Sequence, residues 1–474
     1  MSEKVCTFAD IRYKKCGVLP IIRQKKCETH QLFVRKSVEE MQRSLYSQLI
    51  EWKDKASRKP LILNGARQVG KTYLLREFGR KEFKKLAFFS LDRSPNVVEL
   101  FEKGGKTEDI VMALSAISQE DITPGDTLVV LDEIQSCPKA LEALKFFCED
   151  TPDIHIAAAG SLLGVSLHGG VSYPVGKVEE LRLYPMTFAE FLDALGKSHM
   201  AELISSANWS VINMIAPELE SLLRQYYYVG GMPAAVLAHA EERGLNEVRR
   251  IQQQILTDYR RDFSKHAPAR EVPRINMVWD SIPSQLAKEN KKFVYGAVRK
   301  SARAADLEIA IQWLIDAGLA YKVTRVNSLR LPLKFYEDPD IFKLFMLDVG
   351  LMGAMTETSS ESMLVGNGVF SEYKGAFTEL YVFTQLKALG CSVYYHSVDK
   401  STIEIDFVTQ CADRVIPIEV KAETNVKSKS LRTFINNNPE LKGLRISMKG
   451  YADQEWMENI PLAAIDAYFA HRHS

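Results

Sequence analysis

Between Leu61 and Leu75 the chain reads LILNGARQVGKTYLL. An apolar run leads into a glycine-bounded loop, and the loop leads into a helical pattern. Gly65, Gly70, Lys71 and Thr72 fit the spacing G-x-x-x-x-G-K-S/T, which average residue frequencies would produce only about 0.02 times in a chain this long. The glycines let backbone N–H groups turn inward and approach phosphate oxygens. The helix beginning near Lys71 aims its positive end at the same space. Lys71 can reach β- and γ-phosphates, and the Thr72 hydroxyl can ligate Mg²⁺. ATP and Mg²⁺ are therefore the expected cofactors, with Gly65, Gly70, Lys71 and Thr72 on the phosphates.

A phosphate loop of this kind needs a second strand to hold the metal. TLVVLDEIQ, at 127–135, is a continuous apolar run ending in two acids, the pattern of a strand covered on both faces. Asp132 then falls at the carboxyl end of the strand, where open α/β sheets bind ligands, and is assigned with Thr72 to Mg²⁺. Glu133 is placed to orient or deprotonate the attacking water. KLAFFSLD at 85–92 and DIHIAAAGS at 153–161 supply two further strands. Ser161 ends the latter at the height of the γ-phosphate, or else caps a helix. The fold class expected is α/β with a parallel sheet, and Glu133, Lys71 and Ser161 are the candidate catalytic residues of an ATP hydrolase.

PLILNGARQVGKTYLLREFG, LVVLDEIQ, AAAGSLLG and VGKVEELRLYPMTFAEFL together resemble a bacterial and archaeal group of AAA-type P-loop ATPases. In that group a C-terminal domain of unknown function has a nuclease-like fold. The resemblance runs from about Met41 to the C-terminus. It implies an ATPase core over 41–195, a helical lid and connector over 196–270 and a restriction-endonuclease-like α/β domain over 356–474; between them, three helices followed by two strands suggest a winged-helix-like module over 271–355. The group often carries an arginine where this chain has Lys177, so no arginine finger is assigned there. A homo-oligomer could supply one in trans.

The middle of the chain reads as helices. Tyr226 to Tyr228 suit an aromatic core or a lid over the nucleotide. Arg260, Arg261, Lys265, Arg270 and Arg274 suit a solvated helix face or a phosphate contact. In the winged-helix-like order the third helix would read DNA, but here it carries Asp306, Glu308 and Asp316 without Lys or Arg. Acids repel phosphate, so this helix is expected to contact protein.

Chemistry recurs near the C-terminus. In TIEIDFV and VIPIEVKA alternate residues share a face. Pairing the two as a hairpin could bring Asp406, Glu419 and Lys421 onto one surface, with Glu379 arriving from a preceding helix. Converging carboxylates need a cation, and a hard oxygen site suits Mg²⁺ or Mn²⁺. The arrangement resembles the PD-(D/E)XK nucleases, although the dipeptide PD itself is absent. That resemblance implies Glu379, Asp406 and Glu419 as metal ligands and Lys421 as the group that activates a water; charges facing outward on a half-exposed hairpin, or a nuclease fold that no longer cuts, are the alternatives. The stretch 421–449 carries Lys421, Lys427, Lys429, Arg432, Lys442, Arg445 and Lys449 against Glu423 and Glu440, a setting that attracts nucleic acid.

At 474 residues the chain is too long for one core. Its net charge of +1 argues against coating nucleic acid or membrane by global field. No run reaches the ~18 apolar residues of a membrane span. The seven cysteines include no C-x-x-C pair, which fits a reducing cytoplasm. Residues 1–40 are basic and read as a disordered extension or a contact arm.

Overall fold

The computed structural model describes residues 41–167, 172–288, 291–366, 368–398, 403–422 and 428–469. The basic extension expected over residues 1–40 lies outside them.

Five strands form the first sheet: β1 (Leu61–Asn64), β2 (Lys85–Ser90), β3 (Thr127–Asp132), β4 (His155–Gly160) and β5 (Glu179–Arg182). Their order is β2-β3-β4-β1-β5, and every pairing is parallel. All six residues of β3 and all six of β4 are buried, as strands with both faces covered must be. Alternate residues of one strand serve different cores: Leu61 and Leu63 join the larger hydrophobic cluster, while Ile62 joins a second cluster on the opposite face. The edge strand β5 is new relative to the sequence reading. Its residues EELR are partly exposed in alternation, so it carries no apolar signature. It is held as a strand by its ladder to β1, Leu61 opposite Glu179 through Asn64 opposite Arg182.

The second sheet holds β6 (Ala320–Val326), β7 (Glu337–Met346), β8 (Val393–Ser397), β9 (Glu404–Cys411), β10 (Arg414–Lys421), β11 (Gly443–Ser447), β12 (Ala452–Asp453) and β13 (Met457–Pro461). Their order is β12-β13-β11-β10-β9-β8-β6-β7. The hairpin β6–β7, expected as the wing of a separate module, is instead continuous with the C-terminal strands, because β6 pairs in parallel with β8 at Arg325 and Tyr395. The sheet thus crosses the boundary expected at 355/356. The reason lies in the packing. Phe383, on the helix Gly368–Ala388, meets Tyr321 of β6, Phe345 of β7 and Phe407 of β9, so one helix face buries all three strands at once.

Four helices matter below: α1 (Lys71–Glu82), α2 (Leu245–His266), α3 (Ala304–Asp316) and α4 (Gly368–Ala388). Tyr226, Tyr227 and Tyr228 are all buried in the core shared by the two sheets. The turn after them is pinned by Asp348, which accepts hydrogen bonds from the N–H groups of Gly231 at 2.6 Å and Leu351 at 2.8 Å. Burial pushes its carboxyl up to about 6.

Candidate nucleotide site

The carboxyl ends of β1, β3 and β4 lie side by side, since β4 stands between β1 and β3. This topology alone brings Gly65, Asp132 and Ser161 to one edge. At Gly70 the backbone takes φ +97° and opens α1, a conformation that glycine adopts without strain. At Gly65 a Cβ would stand 2.3 Å from the carbonyl oxygen of Leu183, so the loop could not sit against the end of β5 with any other residue there.

Lys71 is almost fully buried and donates from Nζ to the carbonyl oxygens of Gly65 and Ala66, both at 2.8 Å. Burial holds its ammonium down to about 8, against the pull of Glu133 and Asp132. Thr72 Oγ1 donates to Asp132 Oδ2 at 2.9 Å. Burial raises the carboxyl of Asp132, opposed by that hydroxyl. Two hard oxygen donors already in contact fit a Mg²⁺ ion held by the loop and β3 together. Glu133 sits at φ +54° just past β3. Ser161 Oγ donates to its Oε2 at 3.2 Å, and Gln135 Nε2 donates to the same oxygen.

Because Lys71 is held near 8 in the free protein, ATP affinity should be flat below about pH 7. Binding a triphosphate requires the charged ammonium, so it takes up a proton above the free-state value. Affinity should therefore weaken above pH 8 by up to about tenfold per unit. Lys71→Arg should remove that limb, as a guanidinium stays charged; titrations of nucleotide binding from pH 6.5 to 9.5 measure both.

Sequence reasoning missed what covers the loop. Helix α2 lies over it: Tyr259 Oη donates to the carbonyl oxygen of Arg67 at 2.9 Å, Asp262 pairs with Arg67, and Asp258 accepts from Gln68 at 3.1 Å. The signal was present in the spacing of Asp258, Tyr259 and Asp262 on one helical face, but the partner was 190 residues away. In the basic run Arg260 pairs with Asp280, Arg261 with Asp258, and Arg270 and Arg274 with Glu271. Lys177 pairs with Glu149 at 2.8 Å. The acid-bearing helix α3 packs its C-terminal end on Gly164, where a Cβ would lie 2.8 Å from the Asp316 carbonyl oxygen.

The C-terminal acids are only partly brought together. Helix α4 and strand β9 place Glu379 near enough to Asp406 that its charge, after burial, raises the Asp406 carboxyl. Asp406 Oδ2 accepts from the N–H of Val420 at 2.8 Å. The three acids expected to share a metal, Glu379, Asp406 and Glu419, are each drawn into other contacts here. Among the described residues no group of three His, Cys, Asp or Glu side chains is arranged to hold a metal ion. Lysines have taken the acids instead. Lys291 pairs with Glu379, Lys343 with Glu404 at 2.6 Å, and Lys421 with Glu419 at 2.9 Å. Lys421, expected to activate water, is thus engaged. Among the described residues, Glu379 Oε2 and Glu419 Oε2 are nonetheless buried without a hydrogen-bond partner. The basic stretch is also less available than its composition suggests. Arg445 is buried against Asn459, and Lys442 pairs with Asp453; Lys427 and Glu423 lie outside the described residues.

Comparison with known proteins agrees with the first sheet. Residues 57–192 match a model described as an AAA domain. Residues 220–362 and 374–467 match two domains of unknown function, DUF8612 and DUF4143. No curated protein matches the chain. Solved structures similar to it include the Aeropyrum pernix ORC1 protein in complex with DNA, at 16% identity and a TM-score of 0.29, covering 69% of this chain and 92% of that one. The Thermotoga maritima RuvB Holliday junction branch migration motor matches at 16% and 0.26, with 63% and 89% covered. CDC6p from Pyrobaculum aerophilum matches at 13% and 0.23, with 63% and 86% covered. At such TM-scores these likenesses carry no argument. Within the described residues no helix is long and apolar enough to cross a membrane. The matched model, the parallel sheet and the glycine-bounded loop make residues 57–192 an AAA-type P-loop domain.

Proposed function

We propose that the chain binds ATP with Mg²⁺ at the loop Gly65–Thr72 and hydrolyses it, and that the nucleotide state is passed through α2 to a C-terminal sheet that binds nucleic acid. The observation that carries this reading is the meeting of Lys71, Thr72, Asp132, Glu133 and Ser161 at one sheet edge. Lys71 would leave the carbonyl oxygens it now bonds and take the β- and γ-phosphates. Thr72 and Asp132 would hold Mg²⁺, which supplies charge neutralisation at the phosphoryl oxygens. Glu133 would hold the attacking water and receive its proton.

Coupling to the C-terminal half has a physical route. The end of α2 that touches Arg67 and Gln68 belongs to the same helix whose other end bonds the residues leading into the turn that Asp348 pins. Gln252 Nε2 donates to the Tyr228 and Val229 carbonyl oxygens at 2.8 and 2.9 Å, and Arg249 donates to Thr358 at 2.8 Å. A triphosphate beside Arg67 competes with Asp262 for the guanidinium, so occupancy bears directly on the helix.

For the C-terminal sheet, neutralisation of its acids by lysine favours binding over cutting. The two unpartnered oxygens, Glu379 Oε2 and Glu419 Oε2, support a second reading in which a divalent cation displaces a lysine and the sheet cleaves nucleic acid. One set of experiments separates these. ATP binding should be abolished by Lys71→Ala. Labelled DNA with Mg²⁺ or Mn²⁺ should be bound and left intact by the wild type and by Asp406→Ala alike. Cleavage lost in Asp406→Ala establishes the second reading, and failure of the wild type to bind ATP removes the first.

A further inference from the structure

We infer that Gln135 is a positioning residue for ATP hydrolysis, one that aims Glu133; this rests on the reading of Glu133 as the group that receives the proton of the attacking water. In that step the water oxygen bonds to the γ-phosphorus. The bond from that phosphorus to the bridging oxygen breaks, its electron pair leaves with ADP, and the water's proton passes to the Glu133 carboxylate. The carboxylate must therefore be held in one orientation as the bond forms.

The backbone is built to do this. β3 ends at Asp132, Glu133 turns the chain through a left-handed φ of +54°, and the short 3-10 helix Ile134–Ser136 follows at once. In a continuing strand Gln135 would stand some 7 Å along the chain from Glu133. The turn folds it back, so that Gln135 Nε2 donates to Glu133 Oε2 and lies 3.4 Å from Ser161 Oγ. Ser161 donates to that same Oε2. Two donors thus converge on one oxygen, and among the described residues Oε1 accepts no hydrogen bond.

The orientation of the amide is fixed by chemistry, because turning it over would set its oxygen against a carboxylate. The consequence is that Gln135 Oε1 is buried with no hydrogen-bond partner among the described residues. It faces Gly160, where a Cβ would approach it to 3.1 Å. A residue serving packing alone would be better as leucine, which fills the same volume without an unsatisfied acceptor. The glutamine gives up that advantage and retains the donor to Glu133. Ser161 alone would hold Glu133 through one rotatable hydroxyl; the planar amide adds a second anchor from another direction.

Two variants of the full-length protein test the role, compared with Glu133→Gln under ATP and Mg²⁺. Gln135→Leu should lower kcat about tenfold or more while the Kd for ATP stays within about twofold of the wild type. Gln135→Glu, which keeps the shape, places a carboxylate against a carboxylate and should move the acid limb of the kcat–pH profile up by about one unit. Thermal unfolding of both reports whether either is merely misfolded, and the isosteric Gln135→Glu carries the decision if Gln135→Leu is. Gln135 variants with wild-type kcat and pH profile, beside an impaired Glu133→Gln, overturn the positioning role alone. A wild type without ATP turnover, or a Glu133→Gln variant as fast as it, overturns the reading of the site and this role with it.

Discussion

Glu133→Gln should bind ATP with wild-type affinity and release phosphate about 10²–10³-fold more slowly, which is about 3–4 kcal/mol of transition-state stabilisation. The substitution keeps the shape and an oxygen able to accept from Ser161 Oγ and Gln135 Nε2. It leaves Lys71, Thr72 and Asp132 untouched. What it removes is the basicity that takes a proton from water. Equilibrium binding of ATP beside single-turnover phosphate release gives the two numbers separately. Equal loss of both would mean that Glu133 supports the loop; no loss of either would mean that the water is held elsewhere, with Ser161 the nearest alternative.

The phosphate loop was legible because everything that defines it is local. Gly65, Gly70, Lys71 and Thr72 act within one turn of backbone, and their spacing is dictated by the phosphates. Asp132 and Glu133 were legible at one remove, as a buried strand ending in acids. Gln135 was passed over although it stands two residues on, since nothing in a strand pattern tells that Glu133 takes a left-handed φ and folds its neighbour back. The edge strand β5 was missed for a different reason. A strand recognised by burial must have buried residues, and an edge strand of EELR is set by its ladder to β1.

The C-terminal sheet shows where alternation along a strand runs out. It put Asp406, Glu419 and Lys421 on one surface of the paired strands, but counter-charges also come from residues remote in sequence. Lys291 lies 88 residues before Glu379, and Lys343 lies 61 before Glu404. Neither lysine has a local pattern that marks it as buried. The joining of β6 and β7 to the sheet delivers Lys343 to the acids.

The clamp of α2 on the loop has the same character. Arg67 and Gln68 occupy the variable positions of the phosphate-loop pattern, which leaves them free to respond to context. Here they face Asp262 and Asp258 across 195 and 190 residues. The loop is thus wired to the rest of the chain through a residue that the pattern leaves unspecified.

The largest stability effect should come from Lys343. Its side chain is 1% exposed, lies 2.6 Å from Glu404 and stands 4.7 Å over the Tyr395 ring. Burial alone would lower its ammonium, but the charges of Glu379, Glu404 and Asp406 outweigh it and raise it. Lys343→Met keeps the aliphatic bulk and leaves those three carboxylates with Lys291 alone. Breaking such a buried pair from one side costs about 3–5 kcal/mol. The loss has a sign in pH. Burial and Glu379 already raise the Asp406 carboxyl in the wild type, and removing a cation raises it further. A carboxylate with a raised folded-state value contributes stability that is intact below its unfolded value and lost as pH rises through the folded one. The gap between wild type and Lys343→Met should therefore be small near pH 4 and widen toward pH 8, as read by urea unfolding across that range. Adding Glu404→Gln to Lys343→Met should recover part of it, because the uncompensated charge then falls by one. A pH-independent gap would mean that Lys343 acts by packing on Tyr395, and in that case Glu404→Gln would recover nothing.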